Sequence, residues 1–291
     1  MRIAIYGNRR QSGIMDRLRI LLGLLGRRAD GGLVVIDKFY DYVDREMPGI
    51  WPANAVAVRP CEGFSADVAV SIGGDGTFLR TVQWVAERYI PILGINTGHL
   101  GYLADLSIDE ALTEPEVSSF KVEERSLLKV ECGCNDADFW PYALNEVAIL
   151  KKDISSMISM TAEIDGAPLA SYLADGLIVS TPTGSTGYCL SVGGPVVEPS
   201  VPAVIIAPVA PHSLTLRPLV VSDAAEIEVT TSSRSDSYLL SLDGRSVSME
   251  AGSRVRICGA PFKVRVIQRV NHHFASTLRS KLYWGKSHTE R

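Results

Sequence analysis

Apolar positions fall into two spacings along this chain. In the first part, unbroken apolar runs alternate with stretches of helical period. Residues 1–7 form one run, and Ile14, Leu18, Leu21, Leu22 and Leu25 then recur at three- and four-residue intervals. Gly31-Gly32 stops that helix before Leu33-Val34-Val35-Ile36, and Pro48-Gly49 marks a turn in a mixed stretch, residues 37–52, that fits neither template. Further runs follow at residues 55–58, 66–72 and 90–95, with Phe78, Val82 and Val85 at helical spacing between the last two. Strands without alternation, separated by helices, predict a parallel sheet covered on both faces.

Beyond residues 106–124, where acidic residues, serines and Pro115 collect, the period changes to two. Ile158, Met160, Ala162 and Ile164 fall on one face, and Ser159, Thr161, Glu163 and Asp165 on the other. Phe262, Val264 and Val266 alternate with Lys263 and Arg265, and Asp165-Gly166 and Asp243-Gly244 sit where hairpin turns are expected. Residues 274–282 return to helical character. The expected fold is an α/β N-terminal domain with a parallel sheet, residues 1–110, and an all-β, antiparallel, sandwich-like C-terminal domain, residues 111–291, ending in a C-terminal helix.

Composition narrows the classes. Of 291 residues, 46% are hydrophobic and 21% charged, which describes a soluble globular protein. A net charge of −4 supplies no basic footprint, so neither a nucleic acid nor an anionic membrane is an expected partner. The apolar run at residues 201–210 contains Pro202 and Pro208 and is shorter than the ~20 residues a spanning helix needs. The N-terminal run breaks at once into Asn8-Arg9-Arg10, so a cytoplasmic protein is expected. Five scattered cysteines read as free thiols; Cys132-Gly133-Cys134 lacks the second close pair a zinc site needs.

Four stretches carry candidate chemistry. Gly73-Gly74-Asp75-Gly76-Thr77 stands between a strand and a helix, where glycines let backbone amides approach a ligand and the helix start favours negative charge. A carboxylate repels phosphate, so Asp75 suits a hydroxyl, a metal or a ribose; an ordinary turn with Asp75 as helix cap would use the same residues. A second glycine loop, Asn96-Thr97-Gly98-His99-Leu100-Gly101-Tyr102, leaves the next strand, and its His99 reads better as a loop histidine than as a catalytic one. Residues 175–188 crowd hydroxyls and glycines after Leu177-Ile178-Val179, which suits phosphate or ribose. Asn145-Glu146 interrupts a strand-like run: the amide matches an adenine edge and the carboxylate a ribose hydroxyl, while a bulge or exposed edge has the same pattern. No P-loop, protein-kinase motif set or Gly-x-Ser-x-Gly elbow is present.

In order and spacing these motifs, continued by Gly193-Gly194-Pro195, Pro211-His212-Ser213-Leu214, Arg217-Pro218-Leu219, Asp243-Gly244 and Leu282-Tyr283-Trp284-Gly285, resemble those of the NAD kinase family over nearly the whole chain. The resemblance implies transfer of the ATP γ-phosphate to the 2′-hydroxyl of the adenosine ribose of NAD, giving NADP. It implies that Asp75 is the general base, that Gly76 contacts substrate, and that Asn145 and Glu146 hold adenine and ribose. Asp175 matches a contact on the nicotinamide side. Thr186, Gly187, Tyr188, Cys189, Leu190 and Ser191 match a segment lining the dinucleotide site, and Arg80 and Ala210 match further NAD contacts. Gly187 stands where relatives most often carry alanine. A divalent cation, Mg²⁺ arriving with ATP, and a homo-oligomer, dimer or tetramer, are implied as well. The Gly-Gly-Asp-Gly motif is shared with diacylglycerol and sphingosine kinases, so a lipid kinase is one alternative and a non-catalytic nucleotide-sensing module another.

Overall fold

The computed structural model describes residues 1–9, 13–98, 101–104, 106–113, 119–133, 139–153, 157–232 and 236–285. In chain order its elements begin with β1 (Ile3–Gly7), α1 (Met15–Arg28), β2 (Leu33–Ile36), α2 (Asp37–Glu46), β3 (Ala55–Val58), β4 (Val68–Ile72), α3 (Asp75–Val85), β5 (Ile92–Asn96), β6 (Leu106–Ser107), α4 (Ile108–Thr113) and β7 (Phe120–Arg125). There follow β8 (Leu128–Glu131), β9 (Tyr142–Ala143), β10 (Glu146–Lys151), β11 (Ile158–Ile164), β12 (Ala167–Ala174), β13 (Gly176–Ser180), α5 (Tyr188–Ser191) and β14 (Ala203–Val209). The last are β15 (Leu219–Ser222), β16 (Ile227–Ser232), β17 (Ser237–Leu242), β18 (Arg245–Glu250), β19 (Arg254–Gly259), β20 (Val264–Arg269) and α6 (Phe274–Lys281).

Two compact units result: Met1–Glu124 with Val264–Arg291, and Arg125–Lys263. The first is built on a sheet of order β3-β2-β1-β4-β5-β20-β7, with β6 against β5. Strands β1 to β5 pair in parallel, and all four residues of β2 are buried, as a sheet covered on both faces requires. Leu18, Leu21 and Leu22 make the buried face of α1. The stretch that fitted neither template contains α2, which buries Phe39 and Val43, one turn apart. Strand order reverses between β1 and β4, the place where open α/β sheets bind ligands beyond their strand ends.

The division of the chain differs from the expected one. Residues past 110 form α4 and β7 within the first unit, and β20 runs parallel to β5, pairing Val266 with Ile92. Val264 and Val266 are buried and Arg265 exposed, so the alternation holds, but it reports one buried face and not which sheet receives it.

The second unit has two six-stranded sheets, β15-β14-β13-β10-β17-β18 and β12-β11-β16-β19-β8-β9. Every described pairing in them is antiparallel. Val147, Ile149, Leu177 and Val179 of one sheet share a core with Ile158, Met160, Ala162 and Val229 of the other. Both expected hairpin turns are present: Asp165-Gly166 and Asp243-Gly244 have positive φ at both central residues (51° and 77°; 49° and 78°), the geometry that suits the twist of paired strands. Cys61, Cys189 and Cys258 are free thiols, while Cys134 and His99 lie outside the described residues.

Candidate active site

In the first unit the glycine stretch leaves β4 at the strand-order reversal, and Asp75 is the first residue of α3. A Cβ on Gly73 would stand 2.3 Å from the Thr77 hydroxyl, so that glycine is required by packing. Gly74 and Gly76 are different: a Cβ on either would meet none of the described residues within 4 Å, which leaves their backbone open on that side to an approaching ligand. Asp75 is not an ordinary cap. Its Oδ2 accepts the Tyr102 amide at 2.7 Å, and its Oδ1 accepts those of Leu103 and Ala104 at 2.9 and 3.3 Å. An ionised carboxylate has about four acceptor positions, so the described residues leave one for a hydroxyl. Arg80 stands exposed further along α3, its charge acting on the half-buried Tyr6 hydroxyl.

In the second unit Asn145 and Glu146 lie at the start of β10, facing the loop that follows β13. Buried there are Asn145 Oδ1 and Glu146 Oε2, and neither has a hydrogen-bond partner among the described residues. Leaving such an atom unsatisfied costs about 1–3 kcal/mol, so two neighbouring ones favour an incoming donor. Burial, and then the nearby Asp243 carboxylate, push Glu146 up to about 7, opposed by the Tyr188 amide.

The backbone of the pair is fixed from two sides. Asp243 accepts the amides of Leu144, Asn145 and Glu146 at 2.7, 2.8 and 3.2 Å. Burial raises its pKa while these amides and Arg245 oppose the shift. From the other side Thr181 donates its hydroxyl to the Leu144 carbonyl at 2.6 Å and receives the Gly184 amide at 3.1 Å. Gly184 itself lies so close that a Cβ there would be 2.1 Å from the Asn145 carbonyl oxygen. Ser185 pins the loop further on, donating to the Pro182 carbonyl at 2.7 Å and accepting the Val197 amide at 3.0 Å.

The other expected site residues spread outward from this pair. Thr186 and Gly187 are half-buried, and a Cβ on Gly187 would come within 2.9 Å of Glu146 Oε2. Tyr188 and Ser191 are exposed and Leu190 half-buried on α5. Cys189 is fully buried, its thiol pushed up to about 11 chiefly by burial. Asp175, just before β13, pairs at 2.6 Å with Lys151. Ala210, after β14, has φ of 45°, a left-handed conformation rare for a residue with a side chain. Thr181 and Ser185 belong to the hydroxyl- and glycine-rich stretch of residues 175–188, and Asp243 to the Asp243-Gly244 turn, but no local pattern tells that Asp243 holds the amides of residues 144–146 or that Lys151 pairs with Asp175.

Together these arrangements define a class, a two-unit nucleotide-binding protein without a P-loop. The chain matches the ATP-NAD kinase N-terminal domain model over residues 37–114 and the ATP-NAD kinase C-terminal domain model over residues 144–269. It is 43% identical over 288 residues to the NAD kinase of Bacteroides fragilis and 40% identical over 288 residues to that of Porphyromonas gingivalis, each alignment covering 98% of both chains. An NAD kinase from Archaeoglobus fulgidus solved with ATP superposes with a TM-score of 0.71 at 29% identity, covering 96% of this chain and 99% of its own. Yeast NADH kinase complexed with NADH shares the fold, with a TM-score of 0.85 at 21% identity over 99% of this chain and 89% of its own. The chain belongs to the NAD kinase family.

Proposed function

We infer that this protein is an ATP-dependent NAD kinase, forming a bond between the 2′-oxygen of the adenosine ribose of NAD and the γ-phosphorus of ATP as the γ-phosphate leaves ADP. The observation that carries this reading is identity to curated NAD kinases over 98% of the chain. Phosphoryl transfer has a loose transition state, so orientation and charge neutralisation outweigh early deprotonation of the nucleophile. In this reading Asp75 accepts the 2′-hydroxyl hydrogen bond at its free position and takes the proton late. Gly76 lets substrate approach the backbone. The unpartnered Asn145 and Glu146 oxygens suit the adenine amino group and ribose hydroxyls. Asp175 serves the nicotinamide side, residues 186–191 line the dinucleotide, and Arg80 and Ala210 complete its contacts.

Among the described residues no three Asp, Glu, His or Cys side chains gather as a metal cage. The reading treats Mg²⁺ as part of the substrate, carried by the triphosphate and neutralising it. It also makes the protein a cytoplasmic homo-oligomer, dimer or tetramer, for which light scattering is the direct check. Among the described residues no helix is long and apolar enough to cross a membrane.

The test is product formation. Purified protein is incubated with ATP, Mg²⁺ and either NAD or diacylglycerol. NADP formed in step with ADP is the expected result. Lipid phosphate without NADP would replace the reading with a lipid kinase, and binding without either product would replace it with a nucleotide sensor.

A further inference from the structure

We propose that the loop at residues 101–104 is a carboxylate cradle that sets the orientation of Asp75 for catalysis, and that Gly101 is a positioning residue because only a bare Cα fits beside that carboxylate. Three successive amides, those of Tyr102, Leu103 and Ala104, converge on the two Asp75 oxygens. A Cβ built on Gly101 would stand 2.1 Å from Oδ1 and 2.6 Å from the carboxyl carbon. The loop is itself seated: a Cβ on Gly94 of β5 would be 2.8 Å from the Ala104 Cα and 3.0 Å from the Phe78 ring, so Ala104 packs directly on bare backbone. At α6 the Lys281 ammonium lies 5.5 Å from the centroid of the Tyr102 ring. Among the described residues the cradle leaves Asp75 one direction in which to accept a further hydrogen bond, and displacing the carboxylate misplaces the hydroxyl it receives.

The proposal rests on Asp75 acting on the acceptor hydroxyl. A double-mutant cycle separates the two ideas, with NADP formation, NAD affinity by calorimetry and melting temperature measured for each protein. Gly101→Ala is expected to lower kcat on the order of 10²-fold, the scale of a 1 Å misplacement, with little change in NAD affinity. In an Asp75→Asn background the same substitution is expected to change kcat by no more than about twofold, because its effect runs through the carboxylate. Asp75→Glu keeps the charge but overfills the cradle, and is expected to lose as much turnover as Asp75→Asn; it serves as the test should Gly101→Ala not fold. Normal turnover in Asp75→Asn would overturn the role of Asp75 itself. A crippled Asp75→Asn beside a near-normal Gly101→Ala, additive losses in the double variant, or substantial activity in Asp75→Glu would each overturn the cradle.

Discussion

The carboxylate of Asp243 accepts the backbone N–H of Asn145 at 2.8 Å, across 98 positions of sequence. With the Leu144 and Glu146 amides it gathers three consecutive donors, and its own amide donates to the Glu146 carbonyl at 3.1 Å. The hairpin turn between β17 and β18 thus fixes the backbone from which Asn145 and Glu146 project. Asp243→Ala leaves those donors unpaired and places alanine at φ of 49°. It is expected to destabilise the protein by about 2–4 kcal/mol and to raise the KM for NAD, read by denaturant unfolding and steady-state kinetics. Asp243→Asn, which tolerates that φ and keeps one acceptor, is expected to lose less.

Glu146 predicts a pH dependence. Its folded-state pKa is raised to about 7, so the fold favours the protonated form. The associated stability is complete below the ordinary carboxylate range and is lost as pH rises toward 7. If Glu146 holds the ribose as proposed, NAD binding has the opposite sign, because an ionised carboxylate accepts from hydroxyls more strongly than the protonated acid. The groups facing Glu146 are the Asp243 carboxylate and the Cys189 thiol, with Arg245 beside Asp243. Apparent NAD affinity is expected to improve about tenfold between pH 6 and pH 8, and Glu146→Gln is expected to bind weakly with this slope gone. A wild-type affinity flat across that range would contradict the assignment.

Two glycines of one loop are expected to respond differently to alanine. At Gly184 the new methyl would collide with the Asn145 backbone at 2.1 Å, which cannot move without dismantling the loop. Gly184→Ala should cost about 3 kcal/mol or more and abolish NAD binding. At Gly187 the φ is −93° and the nearest obstacle is the movable end of Glu146, at 2.9 Å. Gly187→Ala is expected to fold with stability within about 1 kcal/mol of the parent and to retain turnover. Thermal unfolding and NADP formation compare them directly.

Much of this was legible in the residues and some could not be. The apolar runs of β1, β2, β4 and β5 and the alternation of β11 declare themselves because burial on two faces or one leaves different periods. α2 was missed although Phe39 and Val43 carry a one-turn spacing, because Tyr40 and Tyr42 obscure it. The placement of β20 was out of reach, since alternation specifies a buried face but not the sheet that supplies the partner. Gly73-Gly74-Asp75 and Asn145-Glu146 stood out by being polar inside apolar surroundings. The partners that orient them, the amides of residues 102–104 and the Asp243 carboxylate, lie 27 to 29 and 97 to 99 positions away; the glycine loop and the Asp243-Gly244 turn are visible as such, but nothing local says which residues they hold.

The central claim is that Asp75 handles the accepting hydroxyl of NAD, and turnover of Asp75→Asn, measured with NAD affinity in the same preparation, tests it most directly. The account predicts a fall in kcat of ~10²- to 10⁴-fold, the usual worth of a general base, with NAD binding essentially kept. Near-normal NADP formation by that variant would contradict it.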